Sequence, residues 1–118
     1  MIEKLLFVFL GGGLGSAFRF LISQGFFKVT YLSFPWATFV SNLVSCLIMV
    51  ALIKSGKLEG ARESLRLFLM VGFLGGLSTF SAFSYETSIL MKEGHLSMAL
   101  INVGLSVSVC IYCLYKLT

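Results

Sequence analysis

The chain has 118 residues, 58% of them hydrophobic and 12% charged, with one proline and a formal net charge of +4. A soluble domain carries about 25% charged residues, so this composition excludes one and describes a single all-α transmembrane domain over residues 1–118. No basic run accompanies the positive balance, which excludes a nucleic-acid surface and assigns the charge to loop topology.

Four apolar segments follow in order, Lys4–Phe27, Pro35–Ile53, Leu65–Met91 and Leu96–Leu117. Each is near the ~20 residues a helix needs to cross hydrocarbon. The first is not a cleaved leader, because it contains Arg19 and further spans follow. Within it, Gly11 and Gly15 form a small-xxx-small pair that lets two helices approach closely. A phosphate-binding glycine loop is the other reading of Gly11–Ala17, but no strand precedes it and the P-loop lysine is missing. Arg19 lies inside the span, where a charge costs roughly 2.5–3.5 kcal/mol. It must face a partner or water, or snorkel toward the Phe27 end.

The Lys28–Phe34 linker ends in Phe34-Pro35, which suits a helix start with proline in the first turn. In the second segment Thr38, Asn42, Ser45 and Cys46 share a face. Asn102, Ser106, Cys110 and Cys113 do the same in the fourth. Such stripes serve either as packing glue or as a pathway lining, and spacing leaves both open. Lys54–Ser64 reads as a solvated loop and Lys92–His95 as a tight turn around Gly94. Cys46, Cys110 and Cys113 lie in apolar segments with no metal-ligand spacing to His95, and read as buried free thiols.

With four spans, both ends and the Lys54–Ser64 loop share one side, carrying Lys4, Lys54, Lys57, Arg62, Arg66 and Lys116. The other side has Lys28 and Lys92. This bias favours cytoplasmic ends.

The third segment is too polar for its depth. Gly72–Glu86 carries three glycines, four hydroxyls of serine and threonine, three phenylalanines and a carboxylate. Non-helical backbone survives at membrane depth only where protein or a water-lined cavity satisfies it, and broken helices of this kind often hold ions. Gly75-Gly76 followed by Ser78-Thr79 invites the helix to open, with hydroxyls occupying freed backbone groups. Carbonyls exposed there are hard ligands for a small cation. Phe80 and Phe83 share a face, and the electropositive ring edge can solvate an anion without a full charge. Lipid-facing filler is the plainer reading of those rings.

The pattern Gly72-Phe73-x-Gly75-Gly76-Leu77-Ser78-Thr79-Phe80-Ser81-x-Phe83-Ser84-x-Glu86 resembles the third-helix signature of the Fluc (CrcB-like) fluoride channels. Gly12-Gly13-x-Gly15-x-x-x-Arg19 and Pro35-x-Ala37-Thr38-x-x-x-Asn42 are supporting matches. Ala37 and Ser45 depart from positions commonly glycine, and Asn102 from one that is tyrosine in some members. The resemblance implies a dual-topology antiparallel dimer in a bacterial plasma or inner membrane, in contact with lipid, with two fluoride pathways at the subunit interface. It implies a structural sodium ion held by the backbone carbonyls of Gly75 and Ser78 from each subunit. Phe80 and Phe83 match the phenylalanines lining each pore. Asn42, with Thr38 nearby, and Ser106 match polar positions beside the path, to which Ser81, Glu86 and Arg19 are added as candidates. The role implied is passive export of fluoride, not enzyme chemistry.

Two expectations go further. Counted at ~1.5 Å per residue, Arg19 and Glu86 fall at similar depth and pair, within one subunit or across a vestibule. The six-to-two basic bias sits uneasily with insertion in both orientations, so either the homodimer overrides it or a second, oppositely oriented subunit completes a heterodimer. A proton-coupled exporter like the small multidrug-resistance proteins is the main alternative, but those rely on a carboxylate deep in the first helix, where this chain has Arg19. A non-transporting assembly subunit would leave the third-segment break unexplained.

Overall fold

Apolar runs of bilayer length fold as helices because their backbone groups find no other partners in hydrocarbon. The computed structural model describes residues 1–29 and 34–118, with the backbone alone at 26–29. The first helix covers Ile2–Val29, the second Trp36–Ser55, the third span Glu63–Lys92 and the fourth helix Leu96–Leu117. These bounds agree with the expected segments to within two residues at every end. All four spans are long and apolar enough to cross a membrane, and no strand occurs among the described residues. The long axis measures 49 Å, enough for a bilayer of about 40–45 Å with its headgroups. Of the Lys28–Phe34 connection, residues 30–33 and the Lys28 side chain lie outside the described residues.

The second helix begins one residue later than expected. Pro35 is its N-cap rather than its first helical residue, and Phe34 packs against Phe39 with ring centroids 6.1 Å apart. That pairing of N′ with N4 is a hydrophobic staple, which fixes the direction of chain entry. The helix ends at Gly56, whose left-handed backbone (φ 69°) lets its N–H reach the Ile53 carbonyl. Gly94 (φ 83°) makes the turn between the third span and the fourth helix.

The first helix and the third span run parallel and meet along glycines. A Cβ on Gly11 or Gly15 would collide with the backbone oxygen of Phe68 or Phe73. Reciprocally, a Cβ on Gly72 would stand 2.7 Å from the Val8 oxygen, and one on Gly76 2.5 Å from the Gly12 oxygen. Each helix thus contributes a GxxxG pair, and the backbones approach as closely as such pairs allow. Edge-on aromatic contacts flank the seam, Phe7–Phe68 at 6.4 Å and Phe18–Phe73 at 5.7 Å.

Part of the third span that faces this seam, Leu67–Phe73, is wound as a π-helix, and the Leu74 N–H still reaches back five residues to Leu69. Such wide turns are rare and concentrate at functional positions. At the entry to the span, Lys4 pairs with Glu63 at 3.1 Å and Arg62 with Glu3 at 3.6 Å. These pairs are solvent-exposed and contribute at most about 1 kcal/mol each, so the seam rather than the charges holds the two elements together.

Gly15→Ala should destabilise the fold by roughly 1–3 kcal/mol, because backbone rather than a flexible side chain must move. Gly13→Ala meets nothing within 4 Å and should be neutral or stabilising by about 0.5–1 kcal/mol, as alanine is a better helix former. Denaturant unfolding in detergent micelles measures both, and equal effects would contradict the packing described.

Candidate functional site

The third span is interrupted at Ser78 (ψ 156°) and Thr79 (φ −154°, ψ 120°), both extended. The opening thus falls within the expected Gly75–Thr79 stretch, at its C-terminal end. Gly75 and Gly76 remain helical within Leu74–Leu77, because Gly76 is held in the seam against the first helix. The Asn42 side chain repairs the break. Thr79 N–H donates to Asn42 Oδ1 at 2.7 Å, and Asn42 Nδ2 donates to the Thr79 carbonyl at 3.4 Å. The amide thus stands in for a peptide group of the missing turn. Thr79 Oγ1 caps the resumed helix by accepting from Ala82 N–H at 3.2 Å, and Ser81 Oγ lies 3.3 Å from the same oxygen.

These diversions release two carbonyls. In a continuous helix Thr79 N–H would donate to Gly75 and Ala82 N–H to Ser78; here Asn42 and Thr79 Oγ1 take those donors. The Gly76 carbonyl gains the Arg19 Nε–H at 2.9 Å instead. The Leu74 carbonyl accepts from Ser78 N–H, Ser78 Oγ and Ser45 Oγ at 3.0, 2.8 and 3.1 Å. The Leu77 oxygen loses its Ser81 donor at the same break; beside it the oxygens of Gly75 and Ser78 lose theirs, and neutral hard oxygens suit an alkali cation. Both residues line a hollow of about 180 Å³ beside the break. Their chemistry fits the sodium ion that the resemblance implies.

A groove of about 270 Å³ adjoins that hollow, sharing Cys46 and Ser78 with it. Asn42, Ser78, Thr79, Phe80, Phe83 and Ser106 line it, completed by Cys46, Val107 and Cys110. It brings together four of the pathway candidates, Asn42, Phe80, Phe83 and Ser106, from three different spans. The Phe80 and Phe83 rings lie 5.8 Å apart, tilted by 38°. Phe80 is 80% exposed while Phe83 is half-buried, so one ring stands at the mouth and the other forms the wall. Beneath the groove a buried chain runs from Ser106 Oγ to Asn102 Oδ1 (3.3 Å), from Asn102 Nδ2 to Thr87 Oγ1 (2.8 Å), and from Thr87 Oγ1 to the Phe83 carbonyl (2.7 Å). Asn102 is 1% exposed. It belongs to the packing of the fourth helix, whereas Ser106 does both jobs. The second-helix stripe divides likewise: Ser45 is buried against Leu74, and Asn42 also borders the groove.

The remaining candidates lie off the groove. Thr38 is buried, Ser81 is exposed beside Thr79, and Glu86 is half-buried. Glu86 Oε1 is buried without a partner. Arg19 and Glu86 form no ion pair within the chain. The expectation of equal depth fails because helix register is set by the glycine seam rather than by distance from the helix ends. Gly11 with Gly72 and Gly15 with Gly76 are each 61 residues apart (72 − 11; 76 − 15). That register brings Arg19 to the Gly76 carbonyl just before the break, whereas Glu86 lies in the second turn of the helix that resumes at Phe80.

The reading of the sequence did not find Thr87, whose partner is 15 residues away on another helix. Nor did it assign the packing role of Gly72 and Gly76, although their four-residue spacing repeats that of Gly11 and Gly15.

Residues 6–116 match the family described as CrcB-like protein, Camphor Resistance (CrcB). Relatives named fluoride-specific ion channel FluC include those of Shewanella halifaxensis and Shewanella pealeana, each 39% identical over 113 residues. That of Shewanella piezotolerans is 38% identical over the same length. Each alignment covers 96% of this chain and 91% of the relative.

Asn42→Leu should leave a donor and an acceptor of Thr79 unpaired, at about 1–3 kcal/mol per buried group. Exchange of the Thr79 amide hydrogen should then rise at least tenfold, while amides of the fourth helix change little. Arg19→Gln and Glu86→Gln should act additively on unfolding free energy, within about 0.5 kcal/mol, as Arg19 bonds the Gly76 carbonyl and forms no ion pair with Glu86 in the chain.

Proposed function

The chain belongs to the CrcB-like family, and from that premise we propose that it is a fluoride-selective channel whose path is the groove between Asn42, Phe80, Phe83 and Ser106. The observation that carries this reading is the groove itself, where two phenylalanine rings and two neutral polar side chains meet beside an opened helix. An anion there meets ring edges, which are electropositive, and amide or hydroxyl donors. Among the described residues no lysine or arginine lines it. Conduction needs sites strong enough to admit an ion and weak enough to release it, and a fully charged ligand would hold a small, hard anion too long.

The direction of transport follows from charge and acidity. Fluoride trapped as the anion in neutral cytoplasm leaves down its own gradient, with no coupled proton and no covalent step. An enzyme would need an acid–base pair or an activated nucleophile; among the described residues the groove lining holds hydroxyls and thiols with no carboxylate or histidine beside them. The residues invite a passive pore in a bacterial plasma or inner membrane.

The working unit in this reading is two antiparallel copies surrounded by lipid. The groove opens on the outside of the single chain, and Phe80 at its mouth is 80% exposed. A second copy laid over that face would turn the open groove into a lined path. One path would form per chain. The Gly75 and Ser78 carbonyls of both copies would hold a sodium ion, which supplies a fixed positive charge and ties the two breaks together. Arg19, Glu86, Thr38 and Ser81 would then flank the paths rather than line their narrow part. The six basic residues on the side of the chain ends leave a heterodimer with an oppositely oriented subunit as the variant of this assembly that cysteine labelling of the 56–62 loop would reveal.

Liposomes containing the purified protein should release fluoride down its gradient and retain chloride. Phe83→Ile should cut fluoride release at least tenfold with little loss of folded protein, because it removes a ring edge and keeps apolar bulk. Equal release of chloride and fluoride, or release that requires a proton gradient, would refute the reading.

A further inference from the structure

Three cysteines sit at bilayer depth, and two of them line the groove. Cys46 comes from the second helix and Cys110 from the fourth, and both line the cavity that holds Asn42, Phe80 and Phe83. The second and fourth helices that carry them pack against each other, so the two side chains border the same cavity from neighbouring helices. All three cysteines are free, and Cys113 lies one turn beyond Cys110, outside the lining. Neither thiol is needed by the break, the buried Asn102 chain or the carbonyl positions described above. The pairing is therefore unassigned chemistry at the centre of the proposed path.

We propose that Cys46 and Cys110 form a two-coordinate site for a soft divalent cation of the mercuric type, and that its occupation closes the groove. The blocking half of this proposal rests on the groove being the ion path. Among the described residues no three His, Cys, Asp or Glu side chains cluster as a metal site. That argues against three- or four-ligand binding of zinc, for which structural sites are nearly always four-coordinate, and leaves a linear two-sulfur geometry. Thiolates are the soft ligands that select soft metals. The reaction balances as two thiols and one Hg²⁺ giving a neutral S–Hg–S bridge and two protons, which leave through the groove. Neutrality matters at this depth. A bridge with no net charge avoids the cost of a bare ion in hydrocarbon, while a monovalent cation between two thiolates would leave a negative charge. The bridge would span the second and fourth helices across the cavity wall facing Phe80 and Phe83.

The test uses the full chain carrying Cys113→Ser, with mercuric chloride as the probe. Titration in detergent should show sulfur-to-mercury absorption below about 300 nm that saturates at one equivalent per chain, the mark of a bound thiolate. In liposomes the same equivalent should lower fluoride release at least tenfold, and excess dithiothreitol should restore it. Adding Cys46→Ser or Cys110→Ser should abolish the two-sulfur absorption. Each should also raise the mercury concentration needed to halve that variant's own untreated release at least tenfold. In the unaltered chain, mercury should protect Cys46 and Cys110 together from maleimide, read by peptide mass. Unchanged absorption in either serine variant, or protection of only one of the two cysteines, overturns the site. Full absorption with undiminished fluoride release overturns the groove as the ion's route, and with it the block.

Discussion

An interrupted helix at bilayer depth stands only if something other than water takes up its freed backbone groups, and here that is the Asn42 amide. A buried amide or carbonyl left unpaired costs about 1–3 kcal/mol, and in hydrocarbon the cost of each rises to several. Asn42 covers one donor and one acceptor of Thr79 with a single side chain. Arg19 covers the Gly76 carbonyl from the first helix, and Ser45 covers that of Leu74 from the second. The break is thus held by two neighbouring helices, and the carbonyls left over are those of Gly75, Leu77 and Ser78. Which oxygens stay free is decided by which side chains reach the others.

The glycine seam decides where along the membrane this happens. Gly11, Gly15, Gly72 and Gly76 bring the first helix and third span so close that a shift by one residue would place a Cβ against backbone. The seam therefore fixes register, and register carries Arg19 to the Gly76 carbonyl. A guanidinium inside a span is tolerated when it faces a hydrogen-bond partner. Without that alignment the same arginine would have to snorkel to the interface. Close packing along one face of the third span thus makes the charge on its neighbour affordable.

Much of this was legible in the residues. Four spans follow from apolar length, and the interruption follows from glycines and hydroxyls concentrated where lipid-facing residues belong. The small-xxx-small reading of Gly11 and Gly15 put a close helix approach at the right glycines, without its partner. The exact site of the break was not legible, because Gly75-Gly76 and Ser78-Thr79 carry similar signals and only packing tells them apart: Gly76 is needed as a helical surface, so the extended residues are Ser78 and Thr79. The π-helical stretch Leu67–Phe73 left no mark in the sequence, since leucine, phenylalanine and methionine suit α- and π-turns alike. The depth of Glu86 was misjudged for a related reason. Counting residues from helix ends assumes a register, and register is a property of two helices at once.

The groove draws its character from being assembled at these constraints rather than built for itself. Asn42 faces it because Asn42 must reach Thr79. Phe80 and Phe83 face it because they open the helix that resumes after the break, one turn apart. Ser106 faces it at the end of a buried chain that begins at the Phe83 carbonyl. A polar lining and an aromatic wall are therefore consequences of one repaired interruption. An exposed Phe80 beside amide and hydroxyl groups is a poor surface to present to lipid, since hydrocarbon satisfies the ring and strands the polar groups. Water would do the reverse. A second copy of the chain, as proposed, meets both demands, by covering the ring's outer face and keeping a narrow hydrated slot along the amides. In that arrangement selectivity would come from neutral donors held at fixed distances, and the same Asn42 that stabilises the fold would set the width of the path.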